Sequence, residues 1–190
     1  MMLMVPVTLF SSSGTTYATW NPSDKSAGIT LSNGNLTATG YYSVRATISK
    51  SSNKWYYEFA INTASPADKY IGIANSSYSL SAPLGSDYAG NSCGYRTNGE
   101  IYYAGSVIVS AATYAYGDVI GVAFDCGSST VKFYKNNSLQ GTLTSGSVPS
   151  KPWYPCFHSA SGSAIPCTAN FGASALTYTP PSGYNAGVYT

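Results

Sequence analysis

Charge is scarce in this sequence: Asp, Glu, Lys and Arg together make up 8% of its 190 residues, against about a quarter in an ordinary soluble domain. Nine Lys and Arg against seven Asp and Glu leave a net charge of +2. No basic run follows that would track a phosphate backbone and release its counterions, so nucleic acid is excluded as a partner. No apolar run approaches the roughly 18 to 20 residues of a membrane-crossing helix, so no membrane insertion is expected and the chain reads as soluble. Helical periodicity is absent as well. Histidine occurs once, and the four cysteines (Cys93, Cys126, Cys156, Cys167) lack the paired short spacings of a zinc site. No dense Asp cluster calls for calcium, and glycines spread singly over turns form no phosphate-binding loop. No metal and no cofactor are therefore expected.

What the sequence has instead is tyrosine, 18 copies, and glycine, 19 copies. Tyrosine brings rigid contact area with a polar tip, and Ser, Gly and Asn bring adaptable hydrogen bonding, which together make a binder's composition. An equally simple reading of any single tyrosine is a strand residue chosen for β propensity. Short β-branched and aromatic runs recur between Gly, Asn, Ser and Pro clusters, and this predicts an all-β chain. The predicted strands are Gly28–Leu31, Leu36–Thr39, Tyr42–Ile48, Lys54–Ile61, Tyr70–Ala74, Cys93–Arg96, Glu100–Ala104, Val107–Ser110, Asp118–Cys126, Thr130–Lys135, Leu139–Leu143, Trp153–His158 and Cys167–Phe171. Their number and spacing predict a two-layer antiparallel β-sandwich.

Asn33-Gly34 and Asn98-Gly99 are dipeptides that tolerate the positive φ angles of tight hairpins. In the strand from Asp118, the side chains of Ile120, Val122, Phe124 and Cys126 share one face, which makes Cys126 a core thiol. Ile71-Gly72-Ile73-Ala74 and Ile120-Gly121-Val122-Ala123 each set a glycine inside a strand, a sign of close approach by another group. Three stretches resist assignment to strands: Asn75 to Ser92, Ala111 to Gly117 and Thr144 to Pro152. The first is too long for a passive connector, and all three are expected to be working loops.

Met1 to Phe10 is apolar but has neither a basic leading region nor a small-residue cleavage site, so it does not read as a secretory signal. A chain made in a cytoplasm keeps free thiols, with a Cys156–Cys167 disulfide the lesser alternative. Residues 1–19 are expected to form an apolar segment and linker, with the sandwich occupying residues 20–190. The apolar segment is either an extra strand on the sandwich edge or an arm that docks on another subunit.

Several motifs, in order, resemble the SPRY family, a concanavalin-like jelly-roll sandwich. Lys54-Trp55-Tyr56-Tyr57-Glu58-Phe59 is similar to its aromatic-aromatic-Glu strand, and Tyr70-Ile71-Gly72-Ile73-Ala74 to the glycine-containing strand that follows. Gly117-Asp118-Val119-Ile120-Gly121-Val122-Ala123-Phe124-Asp125 resembles the family's most recognisable stretch, continued by Val131-Lys132-Phe133-Tyr134-Lys135-Asn136. Trp153-Tyr154-Pro155, Asn170-Phe171-Gly172, Tyr178 and Pro180-Pro181-Ser182-Gly183-Tyr184 complete the pattern, so the resemblance runs from about Trp20 to Tyr184. Asn137 stands where the family usually has Gly, a position a left-handed Asn also fills. The resemblance implies a binding module without shared catalytic residues that recognises peptides or protein surfaces through loops at one edge. The Ser, Thr and Asn richness of Thr19 to Gly40 looks most like the versions in virion surface proteins of tailed phages.

No enzyme is expected. A glycan-processing enzyme on this kind of sandwich needs two carboxylates flanking the sugar bond, and no close acidic pair falls along a strand; Glu58 reads as structural. Cys156 and His158 share a strand face, as a nucleophile and base would, but no third group is evident to orient the imidazole. A core Cys beside a surface His is the plainer reading. The candidate binding residues are the loop aromatics Tyr78, Tyr88, Tyr114, Tyr116 and Trp153, with His158 beside them. Half or more of these would equally serve to pack their own loops. The expectation is a phage virion surface component, a fibre, head fibre or decoration protein, located on the virion surface after assembly in the host cytoplasm. It would attach to a virion structural protein through the N-terminal segment and bind a protein or glycan ligand through its loops, with homo-oligomers or repeated copies adding avidity. The alternative is a cytoplasmic adaptor for a short peptide in a partner protein.

Overall fold

The computed structural model describes residues 14–62, 68–160 and 166–190. Met1 to Phe10, expected as an edge strand or docking arm, lies outside the described residues. Among the described residues, fifteen strands form two antiparallel sheets stacked face to face. The seven-stranded sheet runs β1 (Trp20–Lys25), β4 (Tyr42–Ala46), β13 (Tyr154–Ser159), β6 (Lys69–Ala74), β7 (Ser92–Arg96), β8 (Glu100–Tyr103), β9 (Ser106–Ser110). The second runs β12 (Ser138–Leu143), β11 (Thr130–Lys135), β10 (Val119–Asp125), β5 (Lys54–Ala60), β14 (Cys167–Asn170), β3 (Thr37–Gly40), β2 (Ile29–Ser32). The short β15 (Asn185–Ala186) runs parallel to β5 beside Trp55 and Tyr56. The sheets stack so that β1 lies by β2 and β9 lies by β12.

All thirteen predicted strands are present with shifts of a residue or two at their ends, and β1 and β15 are additional. Alternation explains the core. Ile120, Val122 and Phe124 of β10 turn inward with Cys126, against Trp20, Phe59, Phe157 and Phe171 from both sheets. Trp20 is fully buried, its ring 5.0 Å from Phe171 and 5.4 Å from Phe59. The two strand glycines mark close approaches, as their sequence context implied. A Cβ on Gly72 would sit 2.0 Å from the Cys93 carbonyl, and one on Gly121 would sit 2.3 Å from the Tyr56 hydroxyl.

Asn136 and Asn137 both take positive φ in the turn between β11 and β12, so Asn serves there where glycine would. The Asn33-Gly34 turn is longer than a two-residue hairpin, because Ser32 pairs with Thr37 and Asn35 is also left-handed. Glu58 points to the outer side of β5. It accepts the Thr177 and Tyr178 amides at 2.7 and 2.9 Å and the Tyr56 hydroxyl at 3.1 Å, which ties the C-terminal segment onto the sheet. That is the structural role expected of it.

Candidate recognition surface

Asn75 to Ser92, expected to be a working loop, is a connection without strands until β7 begins at Ser92, and it packs closely on the sheet. The segment folds back over the outer face of the seven-stranded sheet, where Tyr78 and Leu84 join Tyr70, Ala74 and Cys156 in a second, smaller apolar cluster. Covering that face removes apolar surface from water on both partners. Polar groups fix the cover. Arg45 of β4 donates to the carbonyls of Asn75 and Tyr78 at 3.1 and 2.8 Å, and its other nitrogens clasp Asp24 of β1 at 2.8 Å each.

Four of the six expected contact residues are therefore interior. Tyr78 donates its hydroxyl proton to the Ala82 carbonyl and so accepts from Ser43 Oγ at 2.8 Å. Ser43, its proton used, accepts from Nδ1 of His158 at 2.8 Å. His158 is buried rather than on the surface, and desolvation lowers its pKa to about 4. Tyr114 is buried, its single hydroxyl proton shared between the carbonyls of Lys69 at 2.8 Å and Tyr95 at 3.0 Å. Trp153 is buried between the layers, its indole N–H on the Pro149 carbonyl at 2.8 Å. Only Tyr88, 89% exposed, and Tyr116, 66% exposed, stand in solvent.

The same burial disposes of the Cys156–His158 pair as a nucleophile and base. Burial raises the Cys156 thiol far above its usual range, and the histidine's Nδ1 is committed to Ser43. A working pair needs the opposite, a lowered thiol and a poised imidazole. All four cysteines are buried free thiols.

Two exposed aromatics were hidden in the sequence inside a predicted strand and its lead-in. Tyr41 and Tyr42 are both exposed, with ring centroids 5.3 Å apart. Tyr42 has φ +73°, a costly backbone for a bulky residue and one that clusters at functional positions. The signal was available in Gly40-Tyr41-Tyr42: Gly40 at φ +122° turns the chain so that both rings leave the sheet.

From Tyr42 a row of side chains crosses the outer face of the seven-stranded sheet. The Tyr42 and His158 rings lie 6.4 Å apart, His158 and Tyr70 5.4 Å, and the Arg96 guanidinium sits 5.5 Å from the centre of Tyr70. Arg96 pairs with Asp68 at 2.6 Å and Glu100 at 3.2 Å, and donates to the Tyr102 hydroxyl at 3.4 Å. Tyr102 in turn donates to Glu100 at 2.6 Å. These bonds push both carboxyls below their usual range, Asp68 mainly through Arg96 and Glu100 mainly through Tyr102, while Arg96 is pushed up, mainly by Asp68. Neither acid holds a proton near neutral pH, so the pair lacks the general acid that glycoside cleavage requires. The buried Nε–H of Arg96 has no acceptor among the described residues. Tyr70, His158 and the Arg96 Nε lie beneath the surface, so this row braces the outer face of the sheet, and of the rings and cation in it only Tyr42 is exposed.

The model of the family described as SPRY domain matches residues 54–174. No curated protein matches the chain. Among solved structures, the SPRY domain of human HERC1 superposes with a TM-score of 0.67 at 17% identity, covering 79% of this chain and 96% of that one. The TRIM65 PSpry domain gives 0.63 at 15% identity, covering 82% of this chain and 92% of that one. Stonustoxin gives 0.61 at 18% identity, covering 81% of this chain and 26% of that much longer one.

Proposed function

Because the chain belongs to the SPRY domain family, whose members are protein-interaction modules, we propose that it is a non-catalytic recognition domain on the virion surface of a tailed phage. It binds a protein or glycan with its exposed tyrosines. The observation that carries this reading is that Tyr41, Tyr42, Tyr88 and Tyr116 stand exposed in a chain of which only 8% of the residues are charged. Rigid aromatics among Ser, Thr and Asn supply contact area at low entropic cost and suit sugar rings as well as proteins. The Ser- and Thr-rich opening and the apolar Met1 to Phe10 support the virion assignment.

Labelling of particles from a producing lysate with an antibody to this chain tests it, together with adsorption of the purified protein to host cells. Labelled particles are expected, with cell adsorption lost in a Tyr42→Ser, Tyr116→Ser double variant. Unlabelled particles and no adsorption would defeat the reading.

A cytoplasmic adaptor for a short peptide is the second reading, favoured by the adjoining exposed rings of Tyr41 and Tyr42. An extended peptide would lay an apolar side chain against these two rings. Recovery of a peptide from a displayed library, with binding lost in Tyr41→Ser, would favour this reading over the first.

A further inference from the structure

The open side of the sandwich formed by β9 and β12 differs from the rest of the surface. Among the described residues, the exposed large aliphatic side chains are Val107, Ile108 and Leu139, and all three lie on these two strands. Neither strand carries a charge: β9 reads Ser-Val-Ile-Val-Ser and β12 reads Ser-Leu-Gln-Gly-Thr-Leu. Each is the last strand of its sheet. Tyr88 stands at one end of this side, its ring against Gly105 in the turn that leads into β9.

An exposed, uncharged, β-branched edge is what soluble sandwiches ordinarily avoid, using Lys, Pro or inward charge to discourage association. β9 has one guarding feature, a register shift opposite Ile108: Ile101 pairs with Val109 and Tyr102 with Val107. The bulge leaves Ile108 without a cross-strand partner and 41% exposed, so it presents an apolar residue where a guard would place a charge.

The strand is also a palindrome. Run antiparallel to itself about Ile108, it sets Ser106 against Ser110, Val107 against Val109, and Ile108 against Ile108, which is the self-complementarity a two-fold interface needs. The exposed parts of Tyr88, Val107, Ile108 and Leu139 amount to roughly 400 Å² per copy; with backbone and serines, two copies bury about 1,000 Å², the lower limit for a specific pair.

We propose that the β9/β12 side packs against the same side of a second copy of this chain, the two β9 strands antiparallel with Ile108 on the two-fold axis. An area at that lower limit, with no charged or hydrogen-bonded anchor beside it, belongs with weak pairs, and the dimer is expected to dissociate on dilution. It stands independently of the virion reading and would serve an array of copies through effective concentration.

Sedimentation velocity over a wide concentration range, on the full chain, tests it. A reversible monomer–dimer equilibrium is expected, weakened about tenfold or more by Ile108→Lys and by Leu139→Lys, and unchanged by Thr30→Lys on β2 at the opposite side. Far-ultraviolet circular dichroism of each variant establishes that it is folded. Register is read by Ile108→Cys under mild oxidation. Facing antiparallel residues lie about 4.5–5.5 Å apart at Cα, within disulfide range, and the native thiols are buried. Covalent dimer from Ile108→Cys, exceeding that from Ser106→Cys about tenfold, supports the arrangement. A chain that stays monomeric at every concentration overturns the proposal, as does a dimer indifferent to both lysine variants. Stronger cross-linking through Ser106→Cys overturns the two-fold about Ile108.

Discussion

The two open sides of this sandwich are guarded in opposite ways. On the β1/β2 side, β1 contains Pro22, which offers no N–H, then Asp24 and Lys25, and its pairing with β4 is irregular between Trp20 and Lys25. Lys25 reaches over to donate to the Ile29 carbonyl of β2 at 2.6 Å, and Asp24 is held by Arg45. The β9/β12 side has neither charge nor proline and relies on one bulge. A single chain thus keeps one edge closed to strand addition and leaves the other apolar, and the asymmetry decides which side is available for assembly.

The largest effect expected is on the closed side. Trp20 anchors β1 by packing on Phe59, Phe157 and Phe171, and Trp20→Ala should cost about 4 kcal/mol through the cavity it opens. Urea unfolding measures it. Should the loss stay below about 1 kcal/mol, β1 would be a loosely attached strand and its guarding role would lapse.

Arg45→Ala comes next. The guanidinium joins β1, β4 and the cover from Asn75 to Ser92, and its removal leaves the Asn75 and Tyr78 carbonyls and the Asp24 carboxylate without their donor. Asp24 is partly exposed, so solvent softens the loss, to about 3 kcal/mol. Hydrogen exchange should rise over residues 75–82 and stay unchanged in β8 and β9. Equal loosening of both regions would show that the sides are not held separately.

Acid separates them by another route. His158 ionises at about 4 in the fold against 6.5 in an open chain, so the unfolded state binds the proton first as pH falls. The stability tied to neutral His158 is complete above pH 6.5 and is lost between there and pH 4. By pH 5 the loss is about 2 kcal/mol. Denaturant midpoints at pH 7 and pH 5 check this against His158→Phe, in which the dependence should flatten. Dimer strength, set by uncharged β9 and β12, should not move over the same range once the fraction folded is matched.

Most of the sheet was legible in the sequence because each strand is half buried and alternation records which half. Ile120, Val122 and Phe124 could be placed inward without any knowledge of their partners. β1 was not legible, for the reason it makes a good guard: Pro22, Asp24 and Lys25 obscure the strand pattern. The recognition surface was read less well. Tyr78 and Leu84 sit in a segment with turn composition, and only the tertiary fold-back onto Tyr70 and Cys156 buries them. Tyr41 and Tyr42 were passed over because a strand assignment hides the effect of Gly40 on the ring directions. Long-range packing of a loop has no local periodicity from which to read it.

The smallest change in stability tests the comparison most directly. Pro22→Val on β1, combined with Asp24→Ser and Lys25→Thr, rebuilds the closed edge in the uncharged, β-branched manner of β9. Restoring an N–H and removing two charges should open this edge to association, whereas Pro22→Val alone, at an exposed edge site, should alter stability by less than about 0.5 kcal/mol. Size-exclusion chromatography of the triple variant is expected to show species larger than the dimer, since both ends of the seven-stranded sheet would then accept a neighbour and growth through alternating β9 and β1 contacts no longer closes. The triple variant in an Ile108→Lys background should return to dimers at most. If the triple variant elutes like the parent chain, charge and proline are not what keep β1 closed, and the asymmetry between the two sides must come from the twist of the strands instead.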